Sequence, residues 1–129
     1  LKNQNINCEV IDLRTIRPID WDTIHKSVRK TGHLIVLDTG SHNVSIASEI
    51  ISRVTEKCWD NLKSSPYKIG MPDHAQPTSF GLTKDFYPNA STIIKIISKI
   101  LNKKLEWDTL QQKQTWPHDI PGDWFKGPF

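Results

Sequence analysis

The stretch Cys8-Glu9-Val10-Ile11-Asp12-Leu13-Arg14-Thr15-Ile16-Arg17-Pro18-Ile19-Asp20 decides how this chain is read. Val10, Ile11 and Leu13 are branched or apolar, so the run is expected to begin as a strand. Pro18 marks the turn that ends it, and Arg14 and Arg17 are carried across that turn. Asp20 then stands immediately before an apolar stripe of helical spacing, the place of an N-cap. Strand, basic turn and capped helix make half of a βαβ unit.

The rest of the chain extends this unit. A helix is expected from Trp21 to Lys30, with Trp21, Ile24 and Val28 on one face, late basic residues, and Gly32 as its left-handed C-terminal residue. His33-Leu34-Ile35-Val36-Leu37 is a continuous apolar run, the pattern of a strand covered on both faces in a parallel sheet. A second helix is expected from Ser45 to Asn61. Ile46, Ala47, Ile50, Ile51, Val54 and Cys58 would be buried, and Ser48, Glu49, Arg53 and Lys57 would face water.

Tyr67-Lys68-Ile69 reads as a third strand. From Gly70 to Tyr87, Pro72 and Pro77 exclude regular structure, and a loop of that length belongs to a function or an interface. Asn89 caps a last helix, Ala90 to Lys103, whose isoleucines at 93, 94, 96, 97 and 100 form a broad apolar face. Two parts are expected: an α/β domain over 1–104 and a Trp- and Pro-rich tail over 105–129, docked on a surface of its own or a partner chain.

The 129 residues suffice for one core without staples. Hydrophobic residues at 36% and a net charge of +3, with Lys and Arg scattered, give no footprint for nucleic acid. No apolar run reaches the roughly 20 residues of a membrane span. Cys8 and Cys58 are read as reduced and buried, which suits a cytoplasmic or organelle-matrix protein. The opening on Leu1 rather than Met is read as a cut through a longer chain.

Five histidines, His25, His33, His42, His74 and His118, invite a metal or catalytic reading, but none stands at zinc-ligand spacing from a cysteine or another histidine. His25 reads as a solvated helix residue and His33 as a cap or strand-edge residue. The best local candidate is the loop Asp38-Thr39-Gly40-Ser41-His42-Asn43, at the C-terminal end of a strand and the start of a helix. It is either a ligand loop using Asp38, Ser41, His42 and Asn43, or a βα turn in which Asn43 or Ser45 caps the helix. Arg14 and Arg17 either bind a carboxylate, phosphate or neighbouring subunit, or pair with Asp12 or Asp20. Asp73, His74 and Asp85 give only a weak acid–base signal. No set of residues assembles an active centre, so no catalytic, cofactor-binding or metal residue is assigned.

Ile11-Asp12-Leu13-Arg14-Thr15-Ile16-Arg17-Pro18-Ile19-Asp20 resembles the signature at the start of the C-terminal domain of thiamine-diphosphate enzymes of the transketolase superfamily. It is most similar to the beta subunit of pyruvate-type 2-oxo acid dehydrogenases. The resemblance extends over roughly residues 6–101 and includes Ala47-Ser48-Glu49-Ile50, Met71-Pro72-Asp73 through Pro77-Thr78-Ser79, and Phe86-Tyr87-Pro88. The family's loop glycines are largely replaced here by Ser41, His42, Asn43 and Ser45. The resemblance implies an α/β fold of three αβα layers around a mixed, mostly parallel sheet.

It also implies a parent oxidoreductase that decarboxylates a 2-oxo acid on thiamine diphosphate with magnesium and passes the acyl group to lipoamide. Its partners would be an alpha subunit, a second beta subunit and the lipoamide acyltransferase component. The Gly-Asp-Gly motif that holds the diphosphate in such enzymes is absent, since Gly122-Asp123 is followed by Trp124. The resemblance therefore implies a domain for subunit assembly and acyltransferase docking, inactive by itself. The same domain of a transketolase or deoxyxylulose-phosphate synthase, or a stand-alone ligand- or protein-binding α/β module, remains the alternative.

Overall fold

The computed structural model describes residues 4–83, 86–105 and 125–127. Its elements in chain order are α1 (Trp21–Thr31), β1 (Ile35–Ser41), α2 (Ile46–Cys58), β2 (Tyr67–Met71), the single turn α3 (Phe80–Thr83) and α4 (Ala90–Leu101). The two strands run in parallel, with Ile35 opposite Tyr67, Val36 opposite Lys68 and Leu37 opposite Ile69. Helix α2 makes the crossover between them, so this is the βαβ geometry that an apolar run followed by an amphipathic helix anticipates.

Alternation along β1 sorts the core into two layers. Leu34 and Val36 point to one face, against Ile24 and Val28 of α1 and Ile50, Val54 and Cys58 of α2. Ile35 points to the other face, against Ile94 and Ile97 of α4, together with Ile6 and Leu105. The expected α/β class, with helices on both sides of a parallel sheet, is thus present. Among the described residues the sheet consists of this parallel pair, and no helix is long and apolar enough to cross a membrane.

Helix ends follow the sequence closely. Asp20 accepts a hydrogen bond from the Thr23 backbone at 3.1 Å and a second from the Thr23 hydroxyl at 2.6 Å. Gly32 closes α1 at φ 78°, with its N–H bonded to the Val28 carbonyl at 2.7 Å. Asn89 caps α4 through the Thr92 N–H at 3.2 Å. Helix α2 is shorter than expected: it ends at Cys58 and tightens into a 3₁₀ turn over Trp59–Asn61.

The strand expected over Cys8–Leu13 does not form. Val10 is 92% exposed, and Cys8, read as buried, is exposed too; Cys58 is buried as expected. The segment instead crosses from one core layer to the other. Ile6 is anchored among the α4 residues and Leu13 and Ile19 on the α1–α2 side, while Glu9 is held by the Ser27 hydroxyl (2.6 Å) and by Lys30. Strand propensity acts only where there is a pleated, half-buried surface to pack on, and these tertiary anchors override it.

Three smaller differences follow the same logic. The segment after Gly70 contains the end of β2 and the turn α3 rather than irregular chain throughout. Ser48 is half-buried, its hydroxyl accepting from Lys68 Nζ at 2.7 Å, instead of facing water. His25 is half-buried, stacked on Trp21 with ring centroids 6.0 Å apart, and its buried Nε2 has no hydrogen-bond partner.

Candidate functional site

Both strands end on the same edge of the sheet, where α/β folds present their ligand loops. Strand β1 reaches that edge through a bulge. Between Leu37 and Ser41 it takes four residue steps, against two on β2 between Ile69 and Met71. The bulge turns Asp38 back into the structure. Its carboxylate accepts from the Gly40 N–H at 2.8 Å and from the Ala47 N–H, in the first turn of α2, at 3.3 Å.

Asp38 therefore does the capping that Asn43 or Ser45 was expected to do. Ser45 holds the N-cap position by backbone alone, makes no side-chain cap bond, and leaves its buried hydroxyl without a partner. Strand character also runs on to Ser41, so Asp38 to Ser41 are strand residues rather than loop.

Ser41, His42 and Asn43 meet β2. The His42 N–H donates to the Met71 carbonyl at 2.7 Å. Gly70 makes the approach possible, because a Cβ there would stand 3.2 Å from both the His42 Cα and the Gly40 carbonyl oxygen. Past the end of β2, Asp73 receives the Ser41 hydroxyl at 2.7 Å on one oxygen and the Asn43 amide at 2.5 Å on the other. These two bonds hold the Asp73 carboxyl below its ordinary pKa, with nearby His42 and His74 adding to the effect. Val44, fully exposed, takes φ 51°, a backbone region that a β-branched residue rarely visits.

Chemically the cluster is quiet. A carboxylate whose pKa is lowered is a weaker base, and the Ser41 hydroxyl donates to it without a bond to His42. Among the described residues no three His, Cys, Asp or Glu side chains are grouped to hold a metal ion. His74 instead packs its ring on buried Phe86 at 5.3 Å. His33 bonds Ser64 Oγ through Nδ1 at 2.9 Å, and burial, helped by Lys63, pushes its pKa down.

The arginines lie apart from this edge. Arg14 pairs with Asp12 at 2.6 Å, both exposed, which is the structural ion pair anticipated for it. Arg17 is exposed and makes no ion pair among the described residues, while Asp20 is committed to capping α1. Neither arginine bonds to any residue of 38–43. Asp73, read from the sequence only as a weak acid–base signal with His74 and Asp85, is the hydrogen-bond partner of Ser41 and Asn43. Its signal was the placement of Pro72-Asp73 directly after a strand, opposite a polar loop. Asp85 and His118 lie outside the described residues.

The family model for the transketolase C-terminal domain matches residues 1–93. Among curated proteins, the pyruvate dehydrogenase E1 component subunit beta of Rickettsia felis is 37% identical over 100 residues, covering 78% of this chain and 31% of the relative. The protein of the same name from Rhizobium meliloti is 35% identical over 103 residues, covering 80% and 22%. The human mitochondrial one is 35% identical over 103 residues, covering 79% and 29%. The chain spans less than a third of the length of these relatives.

Proposed function

The chain belongs to the transketolase C-terminal domain family, and from that premise we propose that it serves as the assembly domain of a thiamine-diphosphate-dependent 2-oxo acid dehydrogenase beta subunit, with pyruvate-type substrates. The observation that carries the reading is the run of relatives named pyruvate dehydrogenase E1 component subunit beta, matched over about four-fifths of the chain. In this reading the parent enzyme acts in the cytoplasm or an organelle matrix. The domain contacts an alpha subunit, a second beta subunit and the lipoamide acyltransferase.

Thiamine diphosphate and magnesium belong to other domains of that parent. The reading is supported by the donor set here: no Gly-Asp-Gly occurs in the sequence, and both oxygens of Asp73 are engaged by the protein's own side chains.

The segment 10–17 supplies surface for assembly. It exposes Val10, Ile11 and Ile16 (64% exposed) beside Arg14 and Arg17, a mixture of apolar and guanidinium groups typical of interfaces. The test is sedimentation of the 129-residue chain with a pyruvate dehydrogenase alpha subunit and, separately, with the acyltransferase component. Association with either, weakened by Ile16→Asp or Arg17→Ala at unchanged thermal stability, supports the proposal. Failure to associate with both, or 2-oxo acid decarboxylation by the chain alone with thiamine diphosphate and magnesium, overturns it.

A further inference from the structure

Helix α4 carries a row of positive charge beside a half-covered apolar strip. Lys95, Lys99, Lys103 and Lys104 are all exposed, and the run from Ala90 to Lys104 contains no Asp or Glu. Among the described residues no carboxylate pairs with Lys99, Lys103 or Lys104. Lys99 rests its ammonium over the Tyr67 ring, 5.5 Å from the centroid. Along this row stand Ile96 and Ile100, half-buried and outside the cluster in which Ile94 and Ile97 pack with Ile6.

The chain leaves α4 by turning back on it. Asn102 takes φ 48°, its N–H donates to the Lys99 carbonyl at 3.3 Å, and the Lys103 N–H donates to the Ser98 carbonyl at 3.1 Å. After this left-handed cap Leu105 is buried, 4% exposed, with Ile94 and Ile97 of the same helix. Residues 106–124 lie outside the described residues. Their sequence complements the α4 surface: Glu106, Asp108, Asp119 and Asp123 against the one base Lys113, interleaved with Trp107, Trp116 and Trp124.

We propose that the segment from Glu106 to Trp124 docks on α4 of its own chain, with carboxylates on the lysine row and indoles on Ile96 and Ile100. Exposed ion pairs contribute little singly, so the apolar contact supplies the attraction and the charges set its register. Lys95 and Lys99 stand four residues apart on the helix, a like-charge pair that a neighbouring carboxylate relieves. The segment starts at the end of α4 itself, so the tether gives it an effective concentration that a separate partner lacks. Its length suffices: the 12 residues of α4 span about 18 Å, which about six extended residues cover.

NMR on the 129-residue chain with labelled isoleucine methyls tests this without any substitution. Nuclear Overhauser contacts are expected between the methyls of Ile96 or Ile100 and an indole of Trp107, Trp116 or Trp124. Lys99→Glu with Lys103→Glu is expected to weaken them roughly twofold, by loss of two exposed pairs. Adding Glu106→Lys with Asp108→Lys is expected to restore them, which a general disturbance of α4 would not allow. Absence of any such contact in the parent chain, or contacts indifferent to both charge changes, overturns the proposal. So does their appearance only after a pyruvate dehydrogenase alpha subunit or the acyltransferase component is added, which would make this face of α4 a partner's.

Discussion

Asp38 on β1 caps α2 across the βα turn: its carboxylate accepts the Ala47 backbone N–H at 3.3 Å and, within its own bulge, the Gly40 N–H at 2.8 Å. Helix first turns carry unpaired N–H donors, and a side-chain acceptor satisfies one of them. The strand thereby fixes where the helix begins.

Asp38→Ala is expected to lower unfolding stability by about 1 kcal/mol, the usual worth of a cap, with Asp38→Asn losing less because it keeps an acceptor oxygen. Urea titration of the 129-residue chain reads this directly. An Asp38→Ala midpoint equal to the parent's would show that the Ser45 backbone position alone suffices.

Val44 offers the opposite sign. An exposed β-branched residue at φ 51° stores backbone strain, and glycine adopts that region without it. Val44→Gly is expected to raise stability by about 1 kcal/mol, seen as a higher thermal midpoint. A lower midpoint would mean that the entropy glycine adds to the unfolded chain outweighs the relief.

Among the described residues, four groups have pKa values depressed in the fold and shape the response to acid. Burial, then Lys63, lowers His33. Hydrogen bonds lower Glu9 (from Lys30, then Ser27), Asp20 (from Thr23) and Asp73 (from Ser41, then Asn43). A group with a depressed folded pKa binds its proton more readily in the unfolded chain, so its stabilisation is present above the unfolded value and is lost as pH falls through the folded one. The His33 contribution is therefore lost first, below its ordinary value of 6.5. The carboxylate contributions follow below 4.5 for Glu9 and 3.8 for Asp20 and Asp73. Thermal midpoints against pH should show both stages, and His33→Gln should flatten the upper one. A profile with its upper stage intact in that variant would assign the stage to another group.

How much of this was legible in the sequence differs by kind of interaction. Helix α1 could be read almost residue by residue, because Asp20, the spacing of Trp21, Ile24 and Val28, and Gly32 are local signals that agree with one another. The βαβ order was equally plain from the run at 34–37 and the face of α2. The missing first strand was not, because Val10 and Ile11 have the propensity but lack a surface to pack on, and that depends on where Ile6 and Leu13 are anchored. At the candidate site the loop residues were identified, but their partner was not. Asp73 lies 32 residues beyond Ser41, and nothing local encodes their meeting. The bulge that turns Asp38 toward Ala47 is likewise a property of the strand pair rather than of β1 alone.

The central claim, an assembly domain whose parent holds its cofactor elsewhere, is tested most directly by thermal unfolding of the 129-residue chain with and without thiamine diphosphate and magnesium. A ligand that binds the native state raises its midpoint by mass action. The same midpoint is expected in both. A saturable upward shift would contradict it and would place a binding site within this chain, with Asp38 to Asn43 and Asp73 the first residues to substitute.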